Sequence, residues 1–223
     1  MSNMNKWCER LISIPKSVWV NLRYLPFRDA IKLPFFVKWN TDFRVAREGR
    51  VVFDCPIRTG MVHLGFFKIK MCDPHAKTVF DILGSIVIKG DVHAGNGTKI
   101  RVFETGEMIL GDDFKVSSST AFNCFHRMVF GNNIQFAWDC LVMDGDGHTI
   151  YDEKGKPLPS QKPIMFGNNI WIGCRSTILK GSVIPDNCVI GSMSLVAGDK
   201  FDKNTIIAGN PAKSIKKIGG WRL

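Results

Sequence analysis

From Ile164 to Val196 a large apolar residue recurs at every sixth position: Phe166, Ile172, Ile178, Ile184, Ile190 and Val196. The residues two before them are Ile164, Ile170, Ser176, Ser182, Cys188 and Ser194, mostly small, and Gly167, Gly173 and Gly191 follow members of the series. A period of six fits neither a helix, at about 3.6 residues per turn, nor a long flat strand, but it fits short strands separated by sharp corners. It is the hexapeptide pattern of a parallel β-helix.

Upstream, Ile88, Ala94 and Ile100 form one set in this register, Leu110, Val116 and Phe122 a second, and Phe130, Phe136 and Val142 a third. The register slips by an extra stretch at Phe103 to Gly106 and by two residues before Phe130. Three hexapeptides make one turn of a three-sided coil, and five coils are visible. Phe130-Gly131-Asn132-Asn133-Ile134 recurs 36 positions on as Phe166-Gly167-Asn168-Asn169-Ile170, the length of two coils. Glycine and asparagine tolerate left-handed backbone geometry, which suits them to the corners. The periodicity by itself leaves the hand of the coil open. Between Val142 and Ile164 a polar segment rich in Gly and Pro interrupts the repeat and must project as a loop, and after Val196 the repeat frays into a basic tail.

Residues 1 to about 45 lack the six-residue register. Val18, Trp19, Leu22 and Leu25 fall at helical spacing after Pro15, which predicts a short amphipathic helix with the proline in its first turn. Such a segment can cap the exposed end of the solenoid or dock on a membrane surface through its aromatics and basic residues; the cap is the simpler expectation. Loose alternation from Val51 to Lys70 reads as an irregular first coil. The expected organisation is an N-terminal helical or irregular cap over 1–50, an all-β parallel β-helix over 51–207 with a loop at 144–163, and a basic tail over 208–223.

The chain of 223 residues carries a formal charge of +10 and a pI near 9.4, which favours an anionic partner: nucleic acid, a phosphate-bearing small molecule or a membrane surface. The positive residues are spread along the chain without an aromatic-interleaved motif, which speaks against nucleic acid. The seven cysteines show no paired spacing, so neither a disulfide framework nor a zinc cluster is expected, and a reducing, cytoplasmic compartment is. The N-terminal stretch lacks a signal-peptide cleavage pattern, and no run has the length of a spanning segment.

The hexapeptide coils, the triplet Trp171-Ile172-Gly173, the loop with Asp144-Gly145-Asp146-Gly147-His148 and the tail Ala208-Gly209-Asn210-Pro211-Ala212-Lys213 together resemble the hexapeptide-repeat O-acetyltransferases. The likeness is greatest to galactoside and maltose acetyltransferases and their relatives in surface-polysaccharide biosynthesis. It runs from about Ile86 to Ile218 and leaves the first 80 or so residues uncovered. The resemblance implies a left-handed parallel β-helix, a homotrimer with active sites between subunits, acetyl-CoA as donor, a small-molecule or glycan acceptor and no metal.

Transfer of acetyl to a sugar hydroxyl needs a base, and the resemblance gives that part to His148. Asp144 and Asp146 are candidates to orient the imidazole or bind acceptor hydroxyls, though Asp-Gly pairs also build tight turns. Asn123 matches a position near the acceptor and could equally be a corner residue. The match places Trp171 beside the pantetheine arm and Cys174, Ser192 and Ala197 along the same groove. It sets Lys213 and Lys216 against the CoA phosphates, where a solvated tail is the plainer alternative. Cys140 and Cys188 occupy the small-residue position of the repeat and are expected in the core, and Cys174 has no histidine close in sequence to activate it, so direct attack is the simpler mechanism. Carbonic anhydrase chemistry needs three histidines converging on zinc, and His63, His75, His93, His126 and His148 show no paired spacing. The rival from another class is a non-catalytic solenoid that scaffolds or binds a polymer. Catalysis by the 144–163 loop, at the inner membrane surface or free in the cytoplasm, remains the reading to test.

Overall fold

The computed structural model describes residues 3–198 and 201–222, with side chains from residue 7; the outermost residues of the expected cap and tail, and positions 199 and 200, lie outside the described residues. Helix α1 (Asn3–Tyr24) and the short α2 (Phe27–Ala30) precede the strands. The first coil is β1 (Phe35–Val37), β2 (Asp42–Val45) and β3 (Arg50–Phe53), and the second is β4 (Val62–Leu64), β5 (Val79–Ile82) and β6 (Ser85–Ile88). Coil three comprises β7 (Val92–Ala94), β8 (Lys99–Val102) and β9 (Glu107–Leu110), and coil four β10 (Phe114–Ser118), β11 (Ala121–Cys124) and β12 (Arg127–Phe130). In coil five β13 (Ile134–Trp138) and β14 (Leu141–Met143) lead through the loop to β15 (Ile164–Phe166). Coil six is β16 (Ile170–Ile172), β17 (Thr177–Leu179) and β18 (Val183–Ile184). The seventh has β19 (Val189–Ile190) and β20 (Leu195–Ala197), after which β21 (Thr205–Gly209) rejoins the first sheet and β22 (Ala212–Lys217) turns back on it.

The strands stack into three parallel sheets of nine, seven and six strands, one per side, with β22 alone antiparallel. This is the parallel β-helix expected of hexapeptide repeats. It starts earlier and runs longer than the six-residue register suggests: the first coil begins at Phe35, inside the stretch read as a cap, and seven strands stack in the second sheet. Early coils hide because the segment between β4 and β5 and the variable corners break the period, although the strands themselves pair in register. The 36-residue echo is likewise one coil, not two, since Met128 pairs with Ile164 and Phe130 with Phe166. The inserted loop supplies the extra length.

Every member of the series from Phe166 to Val196 is buried, as are the small residues two before them. Phe114, Phe122, Phe130, Phe136 and Phe166 fill the middle coils, with Phe130 and Phe166 stacked at 4.8 Å. At the Phe-Gly-Asn-Asn corner the left-handed residue is the second asparagine: φ is 54° at Asn133 and 56° at Asn169 and Asn187. Their amides form a ladder, Asn133 donating to Asn169 (2.7 Å), Asn169 to Asn187 (2.8 Å) and Asn187 to Asn204 (3.0 Å). The glycine of the motif is needed for contact, not for positive φ: a Cβ on Gly131 would stand 2.2 Å from the Gly167 carbonyl oxygen.

Helix α1 closes the N-terminal edge of the nine-stranded sheet through its side chains. Asn21 exchanges two hydrogen bonds with the backbone of Phe35 (2.8 and 3.0 Å), Val37 N–H donates to Ser17 Oγ (2.9 Å) and Trp39 N–H donates to Ser13 Oγ (3.0 Å). Four helical residues advance about 6 Å and two strand residues about 6.6 Å, so side chains at 13, 17 and 21 meet alternate backbone groups of the strand. These anchors continue past Pro15, and Glu9 is held by Lys68 (2.7 Å), which is why the helix extends well before the proline that the sequence places in its first turn. At the other end the tail does not fray: β22 pairs with β21, and Trp221 Nε1 donates to the Asn169 carbonyl (2.9 Å).

Candidate active site

His148 sits on the arm that leaves the coil after β14 and returns at β15. The arm is a narrow hairpin, with bridges at Gly145–Gln161 and Tyr151–Pro157 and a tip tied by Asp152, whose carboxylate accepts the N–H groups of Lys154 and Lys156 (both 2.9 Å). Its two aspartates act at the base. Asp144 is fully buried, and its carboxylate accepts the N–H groups of Phe125 (2.6 Å), His126 (3.0 Å) and Arg127 (2.6 Å). That carboxylate is spent on the turn between β11 and β12, so the role of orienting an imidazole or an acceptor does not fall to it. Asp146 forms an ion pair with Lys180, whose ammonium also donates to the Pro159 carbonyl (2.9 Å), and so ties the arm to coil six. His148 itself is exposed, and no hydrogen bond orients its ring among the described residues.

The arm emerges from the corner at which the register slips. Phe103 and Phe125 occupy the extra positions of coils three and four, and their rings stack at 4.1 Å with the Arg101 guanidinium 4.5 Å above Phe103. Phe125 lies under the base of the arm, and a Cβ on Gly145 would meet its ring at 3.0 Å. The stack and Lys180 are absent from the sequence reading of the site. The slips marked the place, but only the pairing of adjacent coils shows that the slipped residues meet.

Asn123 pairs with Arg101 on one side and Met143 on the other, and Met143 continues through Leu179 to Ala197, so Asn123 and Ala197 share one outward column of the second sheet. A cleft of about 350 Å³ joins Asp146, Lys162, Lys180 and Ala197. The remaining donor candidates lie elsewhere on coils six and seven. Cys174 Sγ approaches Ser192 Oγ (3.5 Å) at the corner between the first and second sheets. Trp171 faces outward from β16 with the Trp221 ring 6.3 Å away, and Lys213 and Lys216 are exposed on β22. Asp146 and Ala197 are thus brought together, with Asn123 three strands away in the same column as Ala197; Trp171, Cys174, Ser192 and the two lysines are not joined to them within one chain.

Burial pushes the thiols of Cys124 and Cys140 up, Cys124 beyond the usual range with Asp144 adding to the effect and Cys140 to about 11, so neither is a ready thiolate. His63 and His93, thirty residues apart, pair across β4 and β7 with ring centroids 5.0 Å apart. Burial holds both below the ordinary imidazole range; His93 and Arg10 add to this at His63, as Lys115 does at His93. Among the described residues no group of three or more His, Cys, Asp or Glu side chains is placed to hold a metal ion.

The chain has relatives among known acetyltransferases. A probable acetyltransferase of Mycobacterium tuberculosis is 31% identical over 164 residues, covering 72% of this chain and 51% of that protein. An Escherichia coli protein named for O-acetyl transfer in lipopolysaccharide biosynthesis is 26% identical over 143 residues, 60% of this chain and 72% of its own length. The galactoside O-acetyltransferase of Escherichia coli is 34% identical over 94 residues, 42% of this chain and 45% of that enzyme. The chain therefore spans about half the length of the first and third of these. No protein-family model matches it. All three relatives are named as acetyltransferases.

Proposed function

We propose that this protein transfers acetyl from acetyl-CoA to a hydroxyl of a saccharide or glycan precursor, with His148 as general base and no metal. The imidazole nitrogen accepts the hydroxyl proton as the oxygen attacks the thioester carbonyl. Collapse of the tetrahedral intermediate breaks the C–S bond, and the proton passes to the departing CoA sulfur. The observation that carries this reading is the anchored arm: Asp144 locks it to coil four and the Asp146–Lys180 pair locks it to coil six, in a chain whose homologues are acetyltransferases. Asp146 is accordingly a positioning residue, and the Phe103–Phe125 stack offers a flat apolar face to a sugar ring beside Asn123.

Donor binding falls to Trp171, Cys174, Ser192, Ala197, Lys213 and Lys216. Their separation from His148 around the coil is the reason for a homotrimer: an arm of one subunit then meets the donor corner of its neighbour. We place this activity in the cytoplasm, at the inner membrane surface, and assign nucleic acid no part in it. A thiol-release assay with acetyl-CoA and a panel of sugars tests the reading, with His148→Ala expected to lower turnover about 10²–10⁴-fold. Undiminished sugar-dependent release in the variant removes His148 from the chemistry. No release with any acceptor favours a non-catalytic scaffold.

A further inference from the structure

Helix α1 is amphipathic in the inverse sense. Its polar stripe of Ser13, Ser17 and Asn21 is buried against the coil with Val20, and most of its other apolar residues face outward. Trp7, Leu11, Ile14, Val18 and Leu22 recur at spacings of four and three, the positions of one helical face, and Ile12 and Trp19 widen it. Trp7 is 65% exposed, Leu11 60%, Trp19 52% and Leu22 53%, and α2 adds Phe27 at 75%. At about 100° per residue, Arg23 falls on one margin of this face, while Arg10 falls in line with Ser17 and Asn21 and is exposed one turn before them, toward the coil.

We propose that this end of the coil is a docking face for an anionic phospholipid surface, with α1 lying in the plane of the interface. The proposal rests on the membrane location given above and not on the chemistry of His148. Charge selects the occupant. Residues 1–32 hold six Lys and Arg against two acidic residues, Glu9 and Asp29. Glu9 is taken by Lys68 (2.7 Å) and Lys38 (3.4 Å), and Asp29 stands 3.7 Å from Arg28. A second copy on the same face would set arginines against arginines, whereas lipid phosphates neutralise them. Tryptophan flanked by arginine is also the composition that the boundary between headgroup and acyl chain favours. Beside the helix opens a groove of about 940 Å³ that shares Trp7 and Arg10 with it and is further lined by Phe67, Lys68 and Lys70. Apolar walls and cationic groups together suit a phosphate headgroup and the top of its chains. No helix among the described residues is long and apolar enough to cross a membrane.

The test is flotation of the full chain with phosphatidylcholine vesicles, with and without phosphatidylglycerol. The wild type is expected to float only with the anionic vesicles and to be released by high salt. Leu11→Glu combined with Trp19→Glu should lower the bound fraction about tenfold or more, and Arg10→Glu with Arg23→Glu should lower it as well. All variants are checked for an unchanged thermal midpoint and for thiol release with a soluble sugar. Wild type that ignores anionic vesicles overturns the proposal. So does a Leu11→Glu, Trp19→Glu protein that still floats while its mass by light scattering falls without lipid, because the face then joins copies of this chain. Flotation that persists in a protein without thiol release supports docking and counts against the acetyltransferase reading alone.

Discussion

The two ends of the nine-stranded sheet are closed by opposite means. At the C-terminal end β22 adds a strand, and backbone groups of Thr205 to Gly209 are met by those of Ala212 to Lys217 whatever side chains stand there. At the N-terminal end a helix does the work, and only particular side chains at 13, 17 and 21 can reach the strand. The first solution leaves side chains free for other tasks, so Lys213 and Lys216 can face solvent or a phosphate. The second commits the polar face of α1 inward and so turns the apolar face out. The base of the arm follows the N-terminal logic, with one carboxylate closing three backbone N–H groups.

Removing a side-chain closure should therefore cost far more than changing a residue in the strand closure. The largest effect is expected at Asp144→Ala, which strands three buried or half-buried amides: about 3–5 kcal/mol in denaturant unfolding, with thiol release falling as the arm loosens. Asp144→Asn, which keeps an acceptor, should recover part of that stability. Next comes Asn21→Leu, which leaves the N–H and C=O of Phe35 unmet at about 2–4 kcal/mol, read as a lower thermal midpoint. Smallest in stability are Lys213→Ala and Lys216→Ala, expected within about 0.5 kcal/mol of wild type while KM for acetyl-CoA rises. If a lysine substitution destabilised as much as Asn21→Leu, the contrast between the two ends would collapse.

Much of the coil was legible because its signal is local. A buried side chain at every sixth position needs no partner to be recognised, so Phe166 through Val196, the sets back to Ile88 and the projecting loop are placed by the register alone. The first coil was not legible, because Phe35, Val37 and Phe43 stand among corners of unequal length. The arm was visible, with His148 on it, but the division of labour between its aspartates was not. Asp-Gly-Asp-Gly reads as one turn motif, whereas Asp144 points into the coil at residues about twenty positions earlier and Asp146 reaches Lys180, 34 positions later.

By itself the sequence determined the repeating unit, the residues that fill it and the point where the repeat is broken, since each follows from spacing within a few residues. Only the tertiary structure decided which side chains close the sheet, which aspartate holds the arm, that Phe103 meets Phe125 and that His63 meets His93. Those are contacts between neighbouring coils or between coil and helix. Their partners are set by how many residues each corner and insertion consumes, and no local period records that number.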